Sequence, residues 1–223
     1  MKNNIRTILK KAVACAIDFF YPKAVVCACC DKEAMINKIG LCESCAKVLE
    51  PYTGQRDLFE CLDGFSSGLK YKLSIHRAIY RFKYYNRPDL AEFFVQFMIP
   101  EKSWEIDYVV PVPIHFLRKL TRGYNQSFLL ARSIALKYGY AVNTKMLKRT
   151  KYTVSQTRNG MQQRERNIIG AFSVNKNLAR NRCLLLIDDV CTTGSTLNEC
   201  ARVLKEAGAL KVFAITACKT DGI

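Results

Sequence analysis

Hydrophobic and polar residues change their period several times along this chain, and each change marks an element. Residues 88–99 (PDLAEFFVQFMI) carry apolar side chains at helical spacing behind Pro88, and 106–113 (IDYVVPVP) is a short β-branched run closed by prolines. Residues 125–139 (NQSFLLARSIALKYG) predict a helix stopped by Gly139, and 169–174 (IGAFSV) a strand. The continuous apolar run 184–187 (LLLI) is of the kind buried on both faces of a parallel sheet. An amphipathic helix follows it (TLNECARVLKEAGA), opened by a Thr196 to Glu199 capping-box pattern, and then the strand KVFAITAC. Strand, helix, strand in that order predicts an α/β fold, a central parallel sheet flanked by helices.

Ligands of such sheets sit at the carboxyl ends of the strands. Between LLLI and the next helix lies DDVCTTGST, and the sequence predicts a loop there. Thr192, Thr193, Ser195 and Thr196 offer hydroxyls, Gly194 allows close backbone approach, and the helix N-terminus presents unpaired N–H groups, which together suit a phosphate. Asp188 and Asp189 would repel a phosphate they faced. They suit a neutral vicinal diol, as on a ribose, or a cation bridging ligand oxygens.

Charge points the same way. The 223 residues hold 35 Lys and Arg against 19 Asp and Glu, a formal +16 that favours polyanionic partners. Residues 70–87 contain Lys70, Lys72, Arg77, Arg81, Lys83 and Arg87 with no acid, interleaved with Tyr71, Tyr80, Phe82, Tyr84 and Tyr85. That composition suits a surface that grips phosphates and stacks bases. A second run, 145–182, has ten basic residues against the single acid Glu165.

Eleven cysteines, an odd number, argue against a secreted disulfide scaffold. Residues 1–22 read as an N-terminal amphipathic helix, because the apolar stretch AVACAI is short and Asp18 closes it. No apolar run approaches the roughly 20 residues of a membrane span, so a cytoplasmic protein is expected, with peripheral membrane contact through the first helix as the secondary expectation. Cys27-x2-Cys30 and Cys42-x2-Cys45 are two knuckles at the spacing with which four thiolates surround one Zn²⁺. A shell of four cysteines leaves no open position, so the predicted role is structural. Cys29 is left spare, and Cys15, Cys61, Cys183, Cys191, Cys200 and Cys218 read as small buried hydrophobes. His76 and His115 read as ordinary structural histidines. The expected organisation is the helix 1–22, a zinc module over 23–60 and one larger domain over 61–223.

LLLIDDVCTTGST resembles the signature of type I phosphoribosyltransferases for 5-phosphoribosyl 1-pyrophosphate (PRPP). With the paired cysteine knuckles, YRFKY (80–84), VVPVP (109–113), RGYNQ (122–126) and QTRNGMQQRERNIIGAF (156–172), the chain resembles the ComF family of competence-associated, phosphoribosyltransferase-like proteins over almost its whole length. It departs from the family pattern at 158–161, where a Leu is expected.

The resemblance implies the type I phosphoribosyltransferase fold with a small N-terminal four-cysteine zinc ribbon. It implies that Asp188 and Asp189 bind the ribose hydroxyls and help to place Mg²⁺, and that Thr192, Thr193, Gly194, Ser195 and Thr196 cradle the 5-phosphate. Arg118, Lys119 and Arg122 would neutralise pyrophosphate, and 150–168 would form a flap with Arg164, Arg166 and Asn167 as phosphate contacts. Single-stranded DNA and PRPP are the implied partners, with DNA uptake in natural transformation as the role and a DNA-translocation helicase as a further partner of the zinc module. Regulators of this fold keep the site without transfer, so a ligand sensor and an active phosphoribosyltransferase with an unidentified acceptor both fit the motif. There is no cysteine at residue 2 to make this a glutamine-dependent amidotransferase by itself.

Overall fold

A computed structural model of the protein describes residues 26–54, 59–115, 120, 123–151 and 168–220. The expected helix 1–22 lies outside them. The chain divides into two compact units, the first ending at Val48 and the second beginning at Leu49.

In the first unit, bridges Val26↔Glu33 and Ile36↔Cys42 fold the two cysteine knuckles into ribbons, and α1 (Glu43–Lys47) follows the second. Gly40 takes φ +83°, where its amide bonds the Asn37 carbonyl at 2.9 Å and turns the chain into the second knuckle.

The second unit begins with β1 (Gly64–Lys70), α2 (Leu73–Tyr84), α3 (Leu90–Val95) and β2 (Tyr108–Pro111). There follow α4 (Gln126–Tyr138), β3 (Ala141–Val142), β4 (Leu147–Arg149), β5 (Phe172–Val174) and α5 (Lys176–Ala179). The last elements are β6 (Cys183–Cys191), α6 (Ser195–Glu206) and β7 (Lys211–Lys219). The main sheet has the order β1-β7-β6-β2-β3, and each of its pairings is parallel. β6 lies at its centre with Leu184, Leu185, Leu186 and Ile187 fully buried, as an uninterrupted apolar run requires. This is the type I phosphoribosyltransferase architecture.

The helix predicted over 125–139 forms as α4. Asn125 caps it by accepting the Ser127 amide at 3.0 Å, and Gly139 ends it in the left-handed region at φ +77°. Four readings change. The apolar run 88–99 is helical only as α3, and its last turn tightens into i→i−3 bonds (Phe97 N to the Phe94 carbonyl, 3.0 Å) because Pro100 keeps Ile99 out of helical geometry. Residues 172–174 do form a strand, but it pairs antiparallel with β4 in a separate two-stranded ribbon. The aspartates expected in a loop stand on β6, because β7 goes on pairing with it, Asp188 opposite Thr216 and Cys191 opposite Lys219. Finally, α6 has no capping box. Gly194 is its N-cap without a side-chain bond, and Glu199 is drawn away to the Gly170 amide at 2.7 Å and to Arg202.

Candidate functional site

The carboxylates emerge at the carboxyl end of β6. Successive strand residues point to opposite faces, so the pair divides between two helices. Asp188 accepts a hydrogen bond from Ser127 Oγ on α4 at 2.8 Å and from the Asp189 amide at 2.9 Å. Asp189 is buried and pairs with Lys83 Nζ on α2 at 3.0 Å. Burial and the adjacent Asp189 charge push the Asp188 carboxyl up to about 7, against the Ser127 hydrogen bond that pulls it down. A ligand bringing hydroxyls or a divalent cation would favour its ionised form.

Two helices must be held in register for this arrangement, and one short segment does it. Tyr124 Oη and Gln126 Nε2 both donate to the Phe82 carbonyl, at 2.5 and 3.2 Å, and Asn125 Nδ2 donates to the Val112 carbonyl at 3.1 Å. Residues 124–126 thereby tie the start of α4 to the end of α2 and to the end of β2. Ser127 comes next in the chain after these ties, and Lys83 next after Phe82. Sequence reasoning did not single out Ser127 or Lys83 for the carboxylates. Their only local signals are membership of, or adjacency to, the YRFKY and RGYNQ segments.

The loop after β6 closes into a cup. Gly194 has φ +80°, and Thr193 Oγ1 lies 2.6 Å from Ser195 Oγ. Gly194 gives α6 no side-chain cap, and although the Ser195 amide donates to Thr193 Oγ1 at 3.4 Å, the first turn presents the positive end of the helix dipole to an anion. The cup opens into a cavity of about 350 Å³ lined by Phe59, Glu60, Ile168, Thr193, Gly194, Ser195, Asn198 and Glu199 among others. Glu199 is held under the usual carboxylate range by Arg202. A Cβ on Gly194 would lie 1.9 Å from Phe59 Cε1. Gly194→Ala is therefore expected to lose roughly 1–3 kcal/mol of stability from the left-handed backbone alone, and to lose phosphate affinity as Phe59 is driven aside. Urea melts and phosphate-ester titration would check both, and an unchanged melt would show that the left-handed backbone imposes no cost on alanine here.

Arg118, Lys119 and Arg122 lie outside the described residues, as does 152–167 of the expected flap with Arg164, Arg166 and Asn167. Thr192, Thr193, Gly194, Ser195 and Thr196 are brought together at the start of α6, directly after Asp188 and Asp189. A second, larger cavity of about 500 Å³ lies between the end of β2 and the start of α4, lined by Pro111, Pro113, Tyr124, Phe128 and Leu147 among others.

In the first unit, the sulfurs of Cys27, Cys30, Cys42 and Cys45 all lie within 4.8 Å of one another, and this cluster could hold a metal ion. Cys30 Sγ and Cys42 Sγ are 3.8 Å apart, the edge of a tetrahedron whose centre is about 2.3 Å from each corner, the Zn–S distance. The Cys42 amide points at Cys27 Sγ at 3.4 Å. Burial would raise the Cys27 thiol, but the amides of Cys30, Cys42 and Cys29 outweigh it and bring it down to about 6. Cys45 is pushed up by burial and by its neighbours' sulfurs. Cys29 is fully buried and is not one of the four.

Residues 121–221 match the family model of the phosphoribosyl transferase domain. Over 219 residues the chain is 30% identical to competence protein F of Haemophilus influenzae, an alignment covering 83% of this chain and 93% of that protein. The chain belongs to the ComF family of phosphoribosyltransferase-like proteins. Another ComF relative, competence protein ComFC of Streptococcus pneumoniae, is 26% identical over 206 residues, 85% of this chain and 87% of that protein. The DNA utilization protein YhgH of Escherichia coli is 33% identical over 114 residues, and the match spans 51% of this chain and half of YhgH. Among solved structures, the glutamine PRPP amidotransferase of Bacillus subtilis is 21% identical with a TM-score of 0.40, over 61% of this ComF chain and 30% of the enzyme. Among the described residues no helix is long and apolar enough to cross a membrane.

Proposed function

We propose that this ComF protein binds PRPP with Mg²⁺ at the end of β6 and binds single-stranded DNA, and that it supports DNA uptake in natural transformation from the cytoplasmic side. The observation that carries the PRPP reading is the start of α6, where Gly194 at φ +80° supplies no side-chain cap, following closely on Asp188 and the buried Asp189. The 5-phosphate would take the cup of 192–196, and the ribose hydroxyls the free acceptor positions of Asp188 and Asp189. Mg²⁺ would bridge ligand oxygens and neutralise the pyrophosphate. Arg118, Lys119 and Arg122 would add cations to that end, and the four thiols would hold a structural Zn²⁺.

The DNA half of the reading is supported by the +16 charge and by relatives named for competence and DNA utilization. Phosphate contacts release counterions, so such binding is strongest at low salt.

Calorimetric titration with PRPP and Mg²⁺, repeated in the presence of single-stranded DNA, tests the whole proposal. Binding of both ligands, each altering the affinity of the other equally, is the expected result. No PRPP uptake would reduce the motif to a scaffold, and no DNA binding at low salt would remove the uptake role.

A second reading, transfer of ribose 5-phosphate to an acceptor, is favoured by the cavity of about 500 Å³. Its Tyr124 and Phe128 flank Ser127, the donor to Asp188, so a planar acceptor ring would stack close to the carboxylates. Release of pyrophosphate across a panel of bases and amines would establish it.

A further inference from the structure

Helix α2 has two faces of different chemistry. Ile75, Ala78, Ile79 and Phe82 are buried and bind it to the second unit's core. The opposite stripe would ordinarily be aliphatic-poor and charged, yet it carries a succession of rings. His76, Tyr80 and Tyr84 recur every fourth residue, which places them on one side of the helix. Tyr80, Tyr84 and Tyr85 expose 48%, 56% and 63% of their surface.

These rings touch in sequence. Tyr71 meets His76 edge-on at 5.6 Å between centroids, and His76 lies nearly parallel to Tyr80, 16° off at 6.4 Å. Tyr80 then contacts Tyr84 at 4.9 Å and Tyr85 at 5.7 Å. A ladder of contacting aromatic rings open to water is costly to keep unless something lies on it.

Charge selects what that is. Arg77 is exposed beside the ladder, and the six cations of 70–87 outnumber the acids Glu50, Asp89 and Asp189 with which Lys70, Lys72, Arg87 and Lys83 pair. A chain of rings flanked by excess cations matches a ligand with flat apolar plates on an anionic thread. A duplex hides those plates; a single strand presents them.

We infer that this ladder is the seat of single-stranded DNA, with bases stacked on Tyr80, Tyr84 and Tyr85 and phosphates drawn to Arg77 and Lys72. The inference rests on the reading above that the protein binds single strands, and it gives that binding a place. It also sets the strand on the helix that supplies Lys83 to Asp189.

The test is anisotropy titration of the full-length, zinc-loaded protein with labelled oligo-dT of about 20 nucleotides, long enough to span one binding surface. Tyr80→Ala, Tyr84→Ala and Tyr85→Ala are each expected to weaken binding at least about fivefold, the lower end for loss of one stacking ring, while Tyr→Phe at the same positions keeps it. Arg77→Ala should instead flatten the salt dependence by about one phosphate contact. PRPP binding by the alanine variants reports that the fold is intact.

Wild-type affinity in all three alanine variants would overturn the ladder as the DNA seat and leave its rings to a protein partner. Equal affinity for duplex and single strand would overturn the stacking argument. Failure of the unmodified protein to bind single strands at low salt would instead remove the reading on which the inference rests.

Discussion

Replacing Asp188 and Asp189 together by asparagine is expected to weaken PRPP binding severely, and Asp188→Asn alone is expected to make the ligand-free protein more stable at alkaline pH. Hydrogen bonds to charged groups contribute roughly 1.5–3 kcal/mol each. Removing two anionic acceptors should therefore weaken binding on the order of a hundred- to ten-thousandfold. The gain in stability has the same origin. The two carboxylates share one cation, Lys83, and Asp188 itself is fastened by a serine hydroxyl and one amide.

The pH dependence follows in sign. Burial and Asp189 raise the Asp188 carboxyl from its ordinary 3.8 to about 7 in the folded protein, so between those values the native state holds a proton that the unfolded chain has released. The stabilising contribution is complete below the unfolded value and is lost as pH rises through about 7. Asp188→Asn removes that loss. Its melting temperature should exceed that of the unmodified protein at pH values above about 7, with the gap closing toward acid. Thermal melts across that range, with calorimetry for PRPP, decide the matter. An Asp188→Asn protein that melts lower at alkaline pH would show that the ionised pair is stabilising in the absence of ligand, and undiminished PRPP affinity in the double variant would place the ribose elsewhere.

What the sequence discloses of this site is what lies close together along it. The apolar run of β6, the two aspartates, the hydroxyl-rich turn and the amphipathic α6 occupy consecutive positions, and periodicity suffices to order them. What it conceals depends on partners far away in the chain. Lys83 reaches Asp189 across 106 positions, and no local pattern separates it from the other cations of 70–87.

Strand β1 was hidden for a different reason. Its sequence GFSSGLK has little apolar content, and it forms a strand because β7 pairs with it from Gly64↔Phe213 to Lys70↔Lys219, with the Thr216 hydroxyl donating to Ser67 Oγ at 3.1 Å across the two strands. The capping-box pattern misled because Glu199 finds stronger partners in Arg202 and the Gly170 amide than in its own helix terminus. Such competition is tertiary and leaves no trace at i, i+3. The stretch 70–87 shows both effects at once. Its composition suggested a basic, aromatic surface, and folding assigns Phe82 to the core while leaving Tyr80, Tyr84 and Tyr85 outside.

Removal of metal is expected to unfold the first unit and leave the second standing. The described part of that unit, residues 26–48, buries Leu41, Cys27, Cys29, Cys42 and Cys45 but exposes Met35 and Val48. A unit of 48 residues is too small to build a large core of its own. Its bridges Val26↔Glu33 and Ile36↔Cys42 are isolated pairs, so the four sulfurs must supply most of the cohesion, and structural Zn²⁺ contributes apparent values of roughly 10–16 kcal/mol in small modules near neutral pH. About one Zn²⁺ per chain is expected by atomic absorption, as a single closed shell of thiolates requires. Cys42→Ser should abolish it, because serine is a poor replacement for a thiolate ligand. Cys29→Ser should keep the metal, since Cys29 lies outside the cluster; loss of Zn²⁺ in that variant would shift the ligand set to the Cys27-x-Cys29 alternative. After chelation, limited proteolysis should cut within 26–48 while β6, α6 and β7 stay protected, because the parallel sheet of the second unit is paired entirely by its own strands. Cleavage spreading at once into that sheet would mean that the metal stabilises both units together.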